Sequence, residues 1–141
     1  MQMNKKIVIL VFLLLTGCTG VFDPAFGPYM QFIEEKCLNY CEGRSCAKCD
    51  MSNVSVVFKD EYEEENILGQ CNWTVDVTIK RSFWEKATEC QRQVLLLHEV
   101  GHAQFNLKHV KSRTIMYPYL IYEGYCKNPE KYLELFFKKR K

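Results

Sequence analysis

The sequence lacks a large excess of charge, an internal repeat and an apolar run long enough to span a bilayer. Its 141 residues include 19 lysines and arginines against 17 aspartates and glutamates, so charge gives no argument for a nucleic-acid partner. The apolar run at residues 7–15 is too short to cross a membrane comfortably. Histidine is scarce as well, because the chain has three and all of them lie within residues 98–109.

The N-terminal residues have the pattern of an export signal. Two lysines precede the apolar run, and the run ends in the sequence LTGC at residues 15–18, which resembles a bacterial lipobox. This resemblance implies a signal peptide at residues 1–17 and a lipid attached to Cys18. Thr19 at the next position implies the outer membrane, with the protein facing the periplasm or the exterior. An ordinary secretory signal that ends near a cysteine is the alternative, and either signal exports the chain.

Removal of residues 1–17 leaves 124 residues, which is enough for one domain with one core. Two lysines leave with the signal, so 17 basic and 17 acidic residues remain and the mature chain is formally neutral. Segment 18–28 contains two prolines and two glycines, which predicts a short tether before a single domain at 29–141. The basic end at 138–141 is interpreted as a solvated helix terminus, with contact to an anionic surface as the alternative.

Eight cysteines in an exported chain favour disulfides. If Cys18 carries lipid, seven remain, and an odd number leaves at least one outside any pair within the chain. Four of them form a cluster with irregular spacing that is also compatible with a structural zinc site. The connectivity stays open. The seven are Cys37, Cys41, Cys46, Cys49, Cys71, Cys90 and Cys126.

Apolar periodicity predicts a few strands and helices. Strands are expected where β-branched and aromatic residues dominate or alternate with polar ones. A helix is expected to open on the capping-box pattern of Thr88 and Gln91 and to end near Phe105, since Asn106 tolerates the left-handed conformation. The other predicted elements are a helix at 29–40, strands at 54–58 and 73–80, and a final helix that begins at Pro129.

The histidine stretch opens with the pattern H-E-x-x-H. On a helix of 3.6 residues per turn, His98 and His102 lie one above the other and can bind one Zn²⁺. Glu99 is rotated by about 100° from His98, beside the metal position. There it suits a general base that takes a proton from a zinc-activated water. His109 supplies a third ligand and leaves one position open, as a catalytic zinc site requires.

A methionine follows in the sequence TIMYP at residues 114–118. Together with the histidines it resembles the metzincin clan of zinc peptidases, which carry H-E-x-x-H-x-x-G-x-x-H and a methionine turn beneath the metal. Residues 115–118 are similar to that turn in the matrixin branch. The chain is also similar to small exported bacterial lipoproteins with a variant H-E-x-G-H…N-x-x-H motif. The resemblance covers about residues 88–120. It implies three zinc ligands, a general base and a hydrophobic floor for the metal: His98, His102, His109, Glu99 and Met116.

The chain departs from the metzincin pattern by one residue. Phe105 stands where the clan has its glycine, and Lys108 stands where the clan has its third histidine, so His109 is one position late. Asparagine can replace glycine in left-handed geometry, so a turn at Asn106 can absorb the additional residue.

The sequence therefore predicts an α+β domain of minimal metzincin-like architecture. A small, mainly antiparallel or mixed sheet is expected to pack against an active-site helix and a C-terminal helix. The predicted function is a membrane-anchored endopeptidase with one catalytic Zn²⁺, which cleaves peptide or protein substrates and has no nucleic-acid partner. The alternatives are a catalytically inactive zinc-binding lipoprotein and a disulfide-stabilised structural lipoprotein of the cell envelope, in which the histidines are coincidental.

Overall fold

The structure is a computed structural model that describes residues 21–72, 75–119 and 122–138. Over these ranges the chain is an α+β domain, which confirms the predicted class, and its three strands form one mixed sheet. The predicted signal peptide and the lipid site at Cys18 lie outside the described residues. In the described part of the chain, no helix is both long enough and apolar enough to cross a membrane.

The sheet has the strand order β1-β3-β2, from strands Ser55–Lys59 (β1), Gly69–Cys71 (β2) and Asp76–Lys80 (β3). β1 runs parallel to β3, and β2 runs antiparallel to it. Val77 pairs with Cys71 and Ile79 pairs with Gly69. Since paired residues share a face of the sheet, Gly69 and Cys71 lie on the same face as Val77 and Ile79, which are buried in the core.

The central helix α3, Glu89–Ala103, packs against this inward face and contacts β2 and β3. It begins with the predicted capping box, in which Gln91 N donates to Thr88 Oγ1 and Thr88 N donates to Gln91 Oε1 at 2.8 Å. Residues 94–101 are all buried, which places the histidine motif at the end of the apolar part of the helix. Asn106 has φ 51°, so the chain reverses at the predicted residue.

In the described residues, four further α-helices pack around the central helix and the sheet: α1, Gly27–Tyr40; α2, Arg81–Lys86; α4, Tyr122–Lys127; and α5, Pro129–Lys138. α5 begins at the predicted proline and buries Leu133, Phe136 and Phe137. α2 and α4 have six residues each and were not predicted, because so short a segment shows hardly two turns of apolar periodicity.

Within the part of the chain that the structure describes, three disulfides connect these elements. Cys37–Cys49 joins the C-terminal part of α1 to the 3₁₀ helix Gly43–Cys49, Cys41–Cys46 joins the residue after α1 to the same 3₁₀ helix, and Cys90–Cys126 joins α3 to α4. The four clustered cysteines are thus paired with one another rather than arranged around a structural zinc. Cys71 on β2 is outside these three pairs, and its Sγ donates to the carbonyl of Asn72 at 2.9 Å.

The described part of the predicted tether lies against the fold. Phe22 forms a parallel bridge to Val56 of β1, and Asp23 N donates to the carbonyl of Val56 at 3.0 Å. Phe26 follows in a 3₁₀ turn and is fully buried, and α1 begins at Gly27, two residues before the predicted start. A backbone bridge at Phe22 and the buried side chain of Phe26 thus attach residues 21–28 to the sheet and the core.

Candidate metal centre

The last two turns of α3 present the H-E-x-x-H motif at the boundary between core and solvent. His98 and Glu99 are 5% and 6% exposed, and His102 is half-buried. The apolar residues that precede the motif are buried and hold this part of the helix against the sheet. The two imidazoles leave the same helix face one turn apart, as the spacing predicts.

Backbone carbonyls orient two of the imidazoles. The Nδ1 atoms of His98 and His102 lie 2.6 Å from the carbonyl oxygens of Ile115 and Leu107, respectively. A carbonyl oxygen only accepts, so both Nδ1 atoms must carry the proton, and each neutral ring leaves its Nε2 lone pair available. This is the tautomer in which Nε2 can bind a metal ion.

The loop after α3 returns the third histidine to the same point. Leu107 N donates to the carbonyl of Gly101 at 2.9 Å, and Val110 N donates to the carbonyl of Met116 at 3.0 Å. His109, between these two bonds, places its Nε2 atom 3.1 Å from the Nε2 atoms of both His98 and His102. The latter two Nε2 atoms are 3.2 Å apart. The three predicted ligands therefore converge on one point.

The arrangement of the three Nε2 atoms suits a metal ion better than it suits a cluster held by hydrogen bonds between the rings. The rings of His98 and His102 turn lone pairs toward each other, and two lone pairs cannot form a hydrogen bond. Nitrogens that share one tetrahedral zinc at ~2.0–2.1 Å lie roughly 3.3 Å apart, close to the separations seen here. Within the described residues, the three histidines form a possible metal-binding group, because their ligand atoms all lie within 4.8 Å of one another. The site thus offers three nitrogen ligands.

Electrostatics favours the neutral imidazoles that metals bind. Burial lowers the pKa of His98 to about 4, and the neighbouring His102 and His109 lower it further, against the opposing effect of the Ile115 carbonyl. Burial, followed by the proximity of His102, also lowers the pKa of His109. Both rings are therefore uncharged at neutral pH, even without a metal ion.

Glu99 lies outside the ligand group and packs against β2. A β-carbon built on Gly69 would be 2.9 Å from both Cγ and Oε1 of Glu99, so the absence of a side chain at Gly69 makes room for the carboxyl group. Burial raises the pKa of Glu99 to about 8. The carboxyl group thus has a pKa near neutrality and a position fixed by a strand backbone.

Met116 lies beneath the helix turn that carries both motif histidines. It is buried, and a β-carbon built on Gly101 would be 2.5 Å from its Sδ atom. Gly101 therefore allows Met116 to pack directly against the helix backbone between His98 and His102. The carbonyl that orients His98 belongs to Ile115, the residue before this methionine, so one segment supplies both the packing and the hydrogen bond.

A cavity of about 460 Å³ adjoins the histidines. Its lining includes two ligands, His102 and His109, and also Cys71 from β2 and Lys108 from the loop. Burial raises the pKa of the Cys71 thiol to about 11, with a smaller contribution from the nearby charge of Glu99. β2 thus contacts Glu99 through Gly69 and borders the cavity through Cys71.

The structure brings together His98, His102 and His109, with Glu99 and Met116 next to them, and Cys18 is outside the described residues. Sequence reasoning missed Gly69, although an isolated glycine near strand-forming residues often marks a close approach to another group. It also missed Gln104, whose side chain fixes the end of α3 through two hydrogen bonds to the 3₁₀ segment. No local pattern could have shown that contact, because its partners lie more than fifty positions away in the sequence.

Comparison of the chain with protein-family models, with curated proteins and with solved structures found no match.

Proposed function

We propose that the protein is a zinc-dependent endopeptidase, anchored to the membrane through a lipid on Cys18. The observation that carries the proposal is the convergence of the Nε2 atoms of His98, His102 and His109 at 3.1–3.2 Å from one another. A set of three nitrogens with no thiolate or carboxylate leaves a coordination position for water or substrate, which is typical of catalytic rather than structural zinc sites. The metzincin-like arrangement of helix, third histidine and methionine belongs to the same proposal.

The residues around the ligands suit peptide hydrolysis. Zinc bound to the three imidazoles would supply a Lewis acid for a peptide carbonyl and would acidify a water molecule. The carboxyl group of Glu99 would take a proton from that water molecule and pass it to the leaving amine. The pKa of about 8 belongs to the metal-free site, and the positive charge of a bound zinc ion would lower it, so that Glu99 would be ionised and able to accept the proton near neutral pH.

The sheet offers a binding edge for an extended substrate. β2 is an outer strand, paired with β3 on one side, and it borders both Glu99 and the cavity beside the histidines. An extended peptide can add to such an edge through backbone hydrogen bonds and place a side chain in the cavity. This mode of binding favours unstructured segments of peptides or proteins as substrates.

The first experiment is a metal analysis of the purified chain at neutral pH. We expect one zinc ion per chain, and His109→Ala should remove it, whereas the neighbouring Lys108→Ala should retain it. Imidazole ligands also suit copper, iron and nickel, so the analysis should quantify these metals as well. A wild-type chain that binds no metal, or a His109→Ala variant that binds zinc as tightly as wild type, would contradict the proposed site.

The second experiment measures cleavage of a broad peptide library. We expect Glu99→Gln to lose about two to four orders of magnitude in kcat/KM while it keeps its zinc, because it loses the proton acceptor but no ligand. Glu85→Gln, at an exposed position of α2, is the matched control and should keep full activity. If the zinc-loaded wild type cleaves nothing in the library, the peptidase function is wrong and a zinc-binding lipoprotein without turnover is favoured.

A further inference from the structure

The side chain of Gln104 attaches the end of α3 to a disulfide-bonded segment that is distant in the sequence. Gln104 follows the last residue of the helix, and its backbone N–H donates to the carbonyl of Val100 at 2.9 Å. Its side-chain Nε2 donates both of its hydrogens to backbone carbonyls, to that of Lys48 at 2.9 Å and to that of Asp50 at 2.8 Å. These are the two residues on either side of Cys49.

Cys49 connects this contact to α1. The residue is almost completely buried, and its disulfide to Cys37 attaches the 3₁₀ segment to the C-terminal part of α1. The disulfide therefore fixes the two carbonyls that Gln104 binds. A side chain that only accepts hydrogen bonds, or that carries no polar atom, could not replace Gln104, because both partners are acceptors.

The residues attached to this point are those that shape the metal site. Gln104 lies two positions after His102 and two before the reversal at Asn106. Leu107 follows Asn106, and its carbonyl orients the ring of His102. The same loop brings His109 to the other two histidines. A shift of the helix end would move the Leu107 carbonyl and His109 relative to His98. The ring of His98 would stay in place, because the carbonyl of Ile115 holds it independently.

We propose, on the basis of the metal site proposed above, that Gln104 is a positioning residue that couples the Cys37–Cys49 disulfide to metal retention. With the disulfide closed, the carbonyls of Lys48 and Asp50 hold Gln104 and the end of α3 in place. With the disulfide absent, the segment moves, the two hydrogen bonds are lost, and His102 and His109 hold the metal less tightly.

The test compares zinc release from the full chain and from two variants of Gln104. Gln104→Glu keeps the shape of the side chain but can donate no hydrogen, and it places a charged oxygen against two carbonyls. Gln104→Met removes the donors without adding charge. The control is Gln93→Glu on the same helix, because the Gln93 oxygen accepts a bond from Tyr125 that a carboxylate can also accept. We expect about tenfold faster release for Gln104→Met, more for Gln104→Glu, and no change for the control.

Cobalt substitution separates positioning from general stability. The visible absorption spectrum of bound Co²⁺ reports ligand geometry, and it should change in the Gln104 variants and stay unchanged in Gln93→Glu. A variant that only loosened the fold would lower the melting temperature without altering this spectrum. Gln104→Met keeps the test decisive if Gln104→Glu fails to fold.

A double-mutant cycle tests the coupling to the disulfide. Replacement of both Cys37 and Cys49 by alanine should accelerate metal release in the wild-type background and have little further effect in Gln104→Met. Replacement of Cys41 and Cys46, which lie in the same region but do not flank the bonded carbonyls, should have the smaller effect. Additive effects of Gln104→Met and the Cys37–Cys49 replacement would refute the coupling. Unchanged release in both Gln104 variants would refute the positioning role, whereas a wild-type chain without metal would refute the proposed site itself.

Discussion

Replacement of Gly101 by alanine should destabilise the protein, although alanine is the better helix former. In an exposed helix interior the change from glycine to alanine stabilises by about 0.8–1.0 kcal/mol. Here the new β-carbon would be 2.5 Å from Met116 Sδ and 3.1 Å from Phe136 Cε2. Ordinary contacts between such atoms are roughly 3.5–4.0 Å, so the methionine has to move by about 1 Å.

Overpacking of this kind costs about 1–3 kcal/mol in a well-packed core. Subtraction of the gain in helix propensity leaves a net loss of about 1 kcal/mol for Gly101→Ala, and up to about 2 kcal/mol if Met116 cannot rotate away. For a domain of this size, 1 kcal/mol corresponds to a melting temperature lower by roughly 4 °C. Zinc affinity should fall as well, because the displaced Met116 follows directly after the residue that orients His98.

The assay is thermal unfolding of the metal-free chain in two backgrounds. In the wild-type background Gly101→Ala should lower the melting temperature. In a Met116→Ala background the sulfur and methyl contacts are absent, so the same change should be neutral or stabilising by up to about 1 kcal/mol. If Gly101→Ala is stabilising in both backgrounds, Met116 does not pack against this turn, and the account of the methionine beneath the ligands is wrong.

Three further predictions concern the base, the loop and the pH dependence. Gly69→Ala should lower kcat more than tenfold and leave the zinc content unchanged, because the new β-carbon would be 2.9 Å from Glu99 and would displace it. Steady-state kinetics and metal analysis check this prediction. In a zinc titration, Asn106→Gly should keep the zinc affinity, because glycine readily adopts φ 51°. Asn106→Val should lower the affinity about tenfold or more, because this φ strains a β-branched residue. In the metal-free chain the pKa of Glu99 is about 8, above its value in the unfolded chain. Its contribution to stability is therefore complete below about pH 4.5 and is lost as the pH rises through 8. Denaturant unfolding should show a loss of stability that begins near pH 4.5, amounts to at most about 1.4 kcal/mol per pH unit, ends near pH 8 and is absent from Glu99→Gln.

The parts of the fold that could be predicted are those with local causes. The capping box at Thr88 fixes the start of α3, and the left-handed Asn106 fixes its end, because both act on backbone groups within a few residues. The same holds for α5 and its first-turn proline. The convergence of the histidines could be anticipated because all three lie within one helix end and one short loop.

The parts that could not be predicted depend on contacts between distant segments. β2 has three residues, too few to show a period of two, and its place at the edge of the sheet follows from pairing with β3. That pairing sets which side Gly69 faces and hence where Glu99 can lie. The choice of disulfide partners likewise follows from the packing of α1 against the 3₁₀ segment and of α3 against α4, and seven cysteines in a sequence leave many pairings open.

The one-residue delay of His109 illustrates why spacing alone is a weak guide to a metal site. The position of the ring is set by the bonds on either side of it, from Leu107 to Gly101 and from Val110 to Met116, which fix where the loop leaves the helix and where it rejoins the methionine segment. Between these two points one additional residue can be accommodated without moving the ring. The hydrogen bond from Val110 to Met116 should therefore affect the position of the His109 ring more than the number of residues in the loop does. Val110→Pro removes the N–H donor of this bond, whereas Lys108→Gly changes the loop but keeps both bonds. Val110→Pro should weaken zinc binding more than Lys108→Gly.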